Sequence, residues 1–94
     1  MNSRNIVLSE NFSVDEAAEF REKIHILIKN GEKHFTVDFS KCSFIDSTGL
    51  GVLVGIYKKC VEINGHIQLT SINNPQVMKI FQLTRLDKVF NLDI

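Results

Sequence analysis

Phe44-Ile45-Asp46-Ser47-Thr48-Gly49-Leu50-Gly51-Val52-Leu53 decides how this chain folds. An apolar pair runs into three polar residues, and a helical pattern starts directly after them. Asp, Ser and Thr all cap helices, because a side-chain oxygen can accept an orphan amide of the first turn. The helix predicted here runs from about Thr48 to Glu62 and is closed by Asn64-Gly65. At roughly 100° per residue, Leu50, Leu53, Tyr57 and Cys60 fall on one side of it, facing a sheet. Thr48, Gly51, Gly55, Lys58, Lys59 and Glu62 share the opposite arc. Gly51 and Gly55 therefore lie on the outward face, where each costs about 0.5–1 kcal/mol relative to Ala. Close approach of another backbone to this face would account for both, as would close packing by the C-terminal tail or neutral drift.

Outward from this stretch the apolar spacing alternates between two periods. Upstream, Ile6-Val7-Leu8 reads as a strand. Ser13-Val14-Asp15-Glu16 reads as a capping box, with Ser13 accepting from the amide of Glu16 and Glu16 reaching back. Ala17, Phe20, Ile24, Leu27 and Ile28 then mark a helix that stops near Asn30-Gly31. Phe35 to Phe39 is a β-branched and aromatic strand, followed by a loop from Ser40 to Ser43. Downstream, Ile67 to Thr70 is a third strand. Asn74 caps a third helix with Pro75 at its first position, and Val77, Ile80, Phe81 and Leu83-Thr84 carry its inner face. A helical turn and then a strand end are expected in the tail from Leu86 to Ile94. Alternating strands and helices imply an α/β domain with a mostly parallel central sheet and right-handed crossovers. Sites in such sheets lie beyond the strand C-termini, which singles out the loops Glu10 to Ser13 and Ser40 to Ser47.

A chain of 94 residues has room for one domain, residues 1–94, and its 44 % hydrophobic and 23 % charged residues are ordinary globular composition. Eleven Lys and Arg balance eleven Asp and Glu, so the basic surplus of a nucleic-acid binder is missing. No apolar run reaches the roughly 20 residues of a membrane span. Met1-Asn2-Ser3-Arg4-Asn5 lacks the apolar stretch of a signal peptide. A cytoplasmic protein with no nucleic-acid partner and no direct membrane insertion is expected. Cys42 and Cys60 fit that address as small packed thiols, in neither a disulfide framework nor a metal-ligand spacing.

Enzyme motifs do not fit. Gly49, Gly51 and Gly55 give GxGxxxG, one residue too long for the dinucleotide fingerprint, and no GK[ST] exists for a P-loop. Asp38 and Asp46 lie near strand ends, as in a receiver domain, yet no acidic pair after the first strand would hold magnesium. Ser47 lacks the GxSxG of a nucleophile elbow. Nothing in the spacing brings His25, His34 or His66 to it, and the carboxylates form no acid/base pair. The chain reads as a binding module and as a substrate of enzymes.

Ser47 sits at the positive end of its helix, where dipole and free amides tolerate a phosphate. On a partner surface, a charge of roughly −1.5 to −2 would change binding sharply. Val37-Asp38-Phe39-Ser40, followed by the stretch from Phe44 to Leu53, closely resembles the signature of STAS-domain anti-sigma factor antagonists, the bacterial anti-anti-sigma proteins of partner switching. The flanking pattern from Ser13 to about Leu92 is similar too. The resemblance implies that Ser47 is the phosphoacceptor. It implies that Ser13, Asp46, Thr48, Gly49, Gly51, Val52, Gly55, Lys58 and Lys59 meet the partner. That partner would be an anti-sigma factor serine kinase, with a PP2C-like phosphatase restoring the serine; ATP and metal would belong to these enzymes, leaving no cofactor here. The same family also supplies non-switching subunits of lipid-transport ABC complexes and stress-signalling scaffolds. Two departures stand out. Family members usually begin with an extra strand that this chain starts too late to hold, which would leave a shortened or missing first strand and a bare edge open to homodimerisation. Where they commonly show Gly-Glu-Leu-Asp, this chain has Glu10-Asn11-Phe12-Ser13, so a carboxylate expected near the partner is missing.

Overall fold

The computed structural model describes residues 3–92. Three strands, β1 (Arg4–Val7), β3 (His34–Asp38) and β5 (His66–Thr70), pair in parallel in the order β1-β3-β5. A second sheet of two short parallel strands, β2 (Asn11–Phe12) and β4 (Phe44–Ile45), joins Asn11 to Phe44 and Phe12 to Ile45. Sequence spacing marks Phe44-Ile45 only as an apolar pair and Asn11-Phe12 only as loop, since two residues carry no period. The helices are α1 (Val14–Lys29), α2 (Ser47–Glu62), α3 (Pro75–Leu83) and the single turn α4 (Leu86–Val89).

The pleat gives the three-stranded sheet two unlike faces. Ile6, Leu8, Phe35, Val37, Phe39, Ile67 and Leu69 are buried on one side. Asn5, Val7, His66 and Gln68 are exposed on the other. α1 connects β1 to β3 and α2 lies between β3 and β5; the two helices pack on each other. Both crossovers therefore lie over the same, apolar face. α1 buries Ala17, Phe20 and Ile24 there, and α2 buries Leu50, Leu53, Ile56 and Cys60.

Aromatic edges tie the layers together. Phe12 and Phe20 meet edge-on with ring centres 5.3 Å apart, and Phe39 meets Phe81 at 5.8 Å. Phe90 bridges Phe81 and Tyr57 at 6.2 and 5.5 Å. Each such pair contributes about 0.5–1.5 kcal/mol beyond its buried area.

Helix ends obey the chemistry of unpaired carbonyls. α1 stops at Gly31, whose φ of 96° suits glycine; its amide donates to Ile28 O, and that of Glu32 to Leu27 O. α2 closes the same way around Asn64, at φ 58°, with the Gly65 amide on Cys60 O at 2.6 Å. Asn74 Oδ1 accepts from the amides of Gln76 and Val77 to start α3. The tail corrects one expectation. No strand comes after α4 among the described residues: Asn91, at φ 55°, turns the chain so that the Leu92 amide donates to Asp87 O at 2.8 Å. Residues 93 and 94 lie outside the described residues. A second correction concerns Leu83, which is 73 % exposed and so points away from the core.

Both cysteines are free and buried. Burial pushes each thiol above its ordinary value, and for Cys42 a hydrogen bond to Phe44 O only partly opposes this. Thiolate, the reactive form, is scarce in such sites. Iodoacetamide at neutral pH is expected to leave both cysteines unmodified in the native protein and to alkylate both in denaturant, as read by intact mass. Fast native labelling would contradict the packing described.

Candidate functional site

β2 and β4 are short, but they position the starts of both long helices. Ser13 comes directly after Phe12 and Asp46 directly after Ile45, so pairing of Phe12 with Ile45 sets two helix N-termini side by side. At α2, Asp46 is the N-cap and its Oδ1 accepts from the Gly49 amide at 2.8 Å. Ser47 is the first residue of the helix and is exposed. Its hydroxyl makes no side-chain hydrogen bond among the described residues. Thr48 is also exposed.

The α1 start departs from the expected capping box. Ser13 makes no side-chain bond to a backbone amide; its hydroxyl instead donates to Glu16 Oε1 at 3.1 Å. The backbone at Ser13 is extended, as at an ordinary N-cap, but the hydroxyl meets the carboxylate rather than the third amide. The Glu16 carboxyl is held below the usual carboxylate range, first by its own backbone amide and next by Ser13. The Asp46 charge acts on it in the opposite direction, which brings the two acidic groups into one electrostatic neighbourhood. Glu16, in the first turn of α1, thus sets a carboxylate near Asp46. The sequence shows Glu16 only as a cap partner, because its nearness to Asp46 depends on the β2–β4 register.

Glycines on α2 divide into two kinds. Gly49 is buried, and an added Cβ would run into the Phe12 carbonyl and ring. The partner contact implied for Gly49 by resemblance therefore gives way to a packing role. At Gly51 and Gly55 an added Cβ would meet nothing within 4 Å. The fold needs neither glycine. No described residue of the tail lines this face, and Phe90 is turned onto Tyr57 and Phe81.

Thr48, Gly51, Gly55, Lys58, Lys59 and Glu62 all line one groove of about 450 Å³, as their shared arc predicts, with Val52 and Ile56 completing that side. Its other wall comes from α1, which the α2 pattern does not show. Arg21 and His25 of α1 border it; at i and i+4, they flank the buried stripe of Ala17, Phe20 and Ile24. The signal is present in that spacing, but it says nothing until α1 is known to lie beside α2. Lys59 Nζ pairs with Glu62 Oε1 at 2.9 Å. Among the described residues no cluster of three or more His, Cys, Asp or Glu could hold a metal ion. No described helix is long and apolar enough to cross a membrane.

A parallel sheet is covered by helices on one face, and two helix N-termini stand side by side next to an open groove. The model of the STAS domain family matches residues 5–93, and the chain belongs to that family. The Anti-sigma-B factor antagonist of Bacillus subtilis (strain 168) is 26 % identical over 91 residues, 97 % of this chain and 82 % of that protein. The Bacillus anti-sigma factor antagonist SpoIIAA is similar in both solved forms. Its unphosphorylated structure is 27 % identical at a TM-score of 0.71, covering 87 % of this chain and 77 % of that one. Its phosphorylated structure is 26 % identical at 0.71, covering 89 % and 78 %.

Stability measurements separate the glycine roles. Gly51→Ala and Gly55→Ala are each expected to stabilise by about 0.5–1 kcal/mol in urea unfolding, from helix propensity alone. Gly49→Ala should destabilise by about 1–3 kcal/mol, because a packed neighbour must move. Asp46→Ala should cost about 0.5–2 kcal/mol through loss of the cap. The Glu16 carboxyl is depressed in the folded state, so its contribution is present above the unfolded value and lost as pH falls through the folded one. Glu16→Gln should lower Tm at pH 7 and converge with wild type in acid below the usual carboxylate range.

Proposed function

We propose that this chain acts as one STAS domain, an anti-sigma factor antagonist whose docking is switched by phosphorylation at Ser47. The observation that carries the proposal is the exposed Ser47 hydroxyl, at the first position of α2 beside a groove whose two glycines the fold does not require. The existence of SpoIIAA in phosphorylated and unphosphorylated forms supports it. Unphosphorylated protein docks the α2 N-terminus, with Ser13, Asp46, Thr48, Gly51, Val52, Gly55, Lys58 and Lys59, on an anti-sigma factor that is itself a serine kinase. The bound sigma factor is released.

The switch is a local charge event. The kinase transfers the γ-phosphoryl group of ATP to Ser47 Oγ: an O–P bond forms, the bond to the β-phosphate oxygen breaks, ADP leaves and the hydroxyl proton is taken up by base or solvent. A charge of roughly −1.5 to −2 then stands beside Asp46. Asp46 already uses the Gly49 amide. First-turn amides not engaged by that cap, together with the helix dipole, tolerate the phosphate, so the domain stays folded while its docking surface changes sign. A PP2C-like phosphatase hydrolyses the ester with water and restores the serine. The chain supplies a substrate hydroxyl and a surface, and the chemistry belongs to its partners.

A pull-down from native lysate with wild type, Ser47→Ala and Ser47→Glu, read by mass spectrometry, tests this. A serine-kinase-like ATPase is expected on wild type and Ser47→Ala, and absent from Ser47→Glu. Only wild type should gain phosphate when that ATPase and ATP are added. Gly55→Leu should remain folded by circular dichroism yet capture little. Equal capture of a transporter ATPase or scaffold protein by wild type and Ser47→Glu would make the chain a constitutive subunit and Ser47 only the first residue of α2.

A further inference from the structure

The charge of the groove is unlike that of the chain as a whole. The chain is formally neutral, yet Arg21, Lys58 and Lys59 face a groove whose single carboxylate is Glu62. Glu62 is taken by Lys59. Arg21 and Lys58 have no ion pair among the described residues. His25 adds an imidazole to the α1 wall. Between these walls, Gly51 and Gly55 stand one turn apart and present bare backbone, with open space beyond the missing side chains.

From this we infer that the α1–α2 groove receives an acidic helical segment of a protein partner. The two glycines let the helix backbone come close. Its carboxylates meet Arg21 and Lys58, the two groove cations left without an ion pair among the described residues. Like-charge repulsion excludes a basic segment from the same groove, so the walls select as well as attract. This rests on the reading of the α2 face as a docking surface, and extends it in two ways. Arg21 and His25 join the surface from α1, and the chemistry of the partner segment becomes specific. A phosphate on Ser47 would stand near the Thr48 end of the groove and repel an acidic occupant.

A minimal probe tests the groove without any cellular partner. A peptide of Ala and Glu about four helical turns long, with Glu at every third or fourth position, is titrated into the ¹⁵N-labelled protein. Its control carries Lys in place of every Glu. Amide shifts are expected at Gly51, Val52 and Gly55 with the Glu peptide, and none there with the Lys peptide. Arg21→Glu with Lys58→Glu, both at exposed positions, should weaken the Glu peptide by about tenfold and admit the Lys peptide. Salt near 1 M, where the Debye length is about 3 Å, should abolish the shifts. Absence of shifts, shifts confined to the open sheet face, or equal shifts with both peptides would overturn the inference. The outcome is separate from the serine switch: groove shifts alongside equal lysate capture by wild type and Ser47→Glu would leave the groove standing and remove the switch.

Discussion

The contact between Phe12 and Gly49 is the constraint on which the rest of the site depends. Phe12 is essentially inaccessible, and its carbonyl and ring occupy the space where a side chain at position 49 would stand. Any larger residue would lift the first turn of α2 away from β2. The pairing of Phe12 with Ile45 then fixes where α1 begins relative to α2. A two-residue sheet could not hold this alone. It is held because Phe12 also packs edge-on against Phe20 of α1, so one aromatic side chain joins both helices at their starts.

From that junction comes the polar chemistry. Two helix N-termini in one place gather acidic residues, since each positive end favours them. Asp46 caps one helix, and Glu16 lies in the first turn of the other. Farther along the same two helices the charge reverses to Arg21, Lys58 and Lys59. The exposed face is thus acidic at one end and basic along its length. Ser47 stands where the two regions meet, which makes a change of charge there felt by both.

Much of this was legible in the sequence. Strand and helix periods placed the three-stranded sheet and its helices closely, because each segment is long enough to show a period. The arc of Thr48, Gly51, Gly55, Lys58, Lys59 and Glu62 was correct for the same reason. What failed was local or relational. β2 is too short to carry alternation. The Ser13 hydroxyl faced two acceptable partners, and side-chain geometry chose the carboxylate. The tail reads as a strand end from Val89, Phe90 and Leu92, whereas tertiary packing of Phe90 on Tyr57 and Phe81 holds the chain in a turn. The contributions of Arg21, His25 and Glu16 depend on which elements are neighbours, and no single segment contains that information.

The closure of α2 at Asn64-Gly65 bears on how this protein ages. Asn followed by Gly is the dipeptide most prone to spontaneous deamidation, because the glycine nitrogen can attack the asparagine side-chain carbonyl and close a succinimide ring. Here that nitrogen is committed to Cys60 O at 2.6 Å, and Asn64 is held in the left-handed region by the helix end. The ring cannot close without opening the last turn of α2. Chemical wear at this position is therefore tied to fraying of one helix end, and the turn that ends the helix also slows its clock.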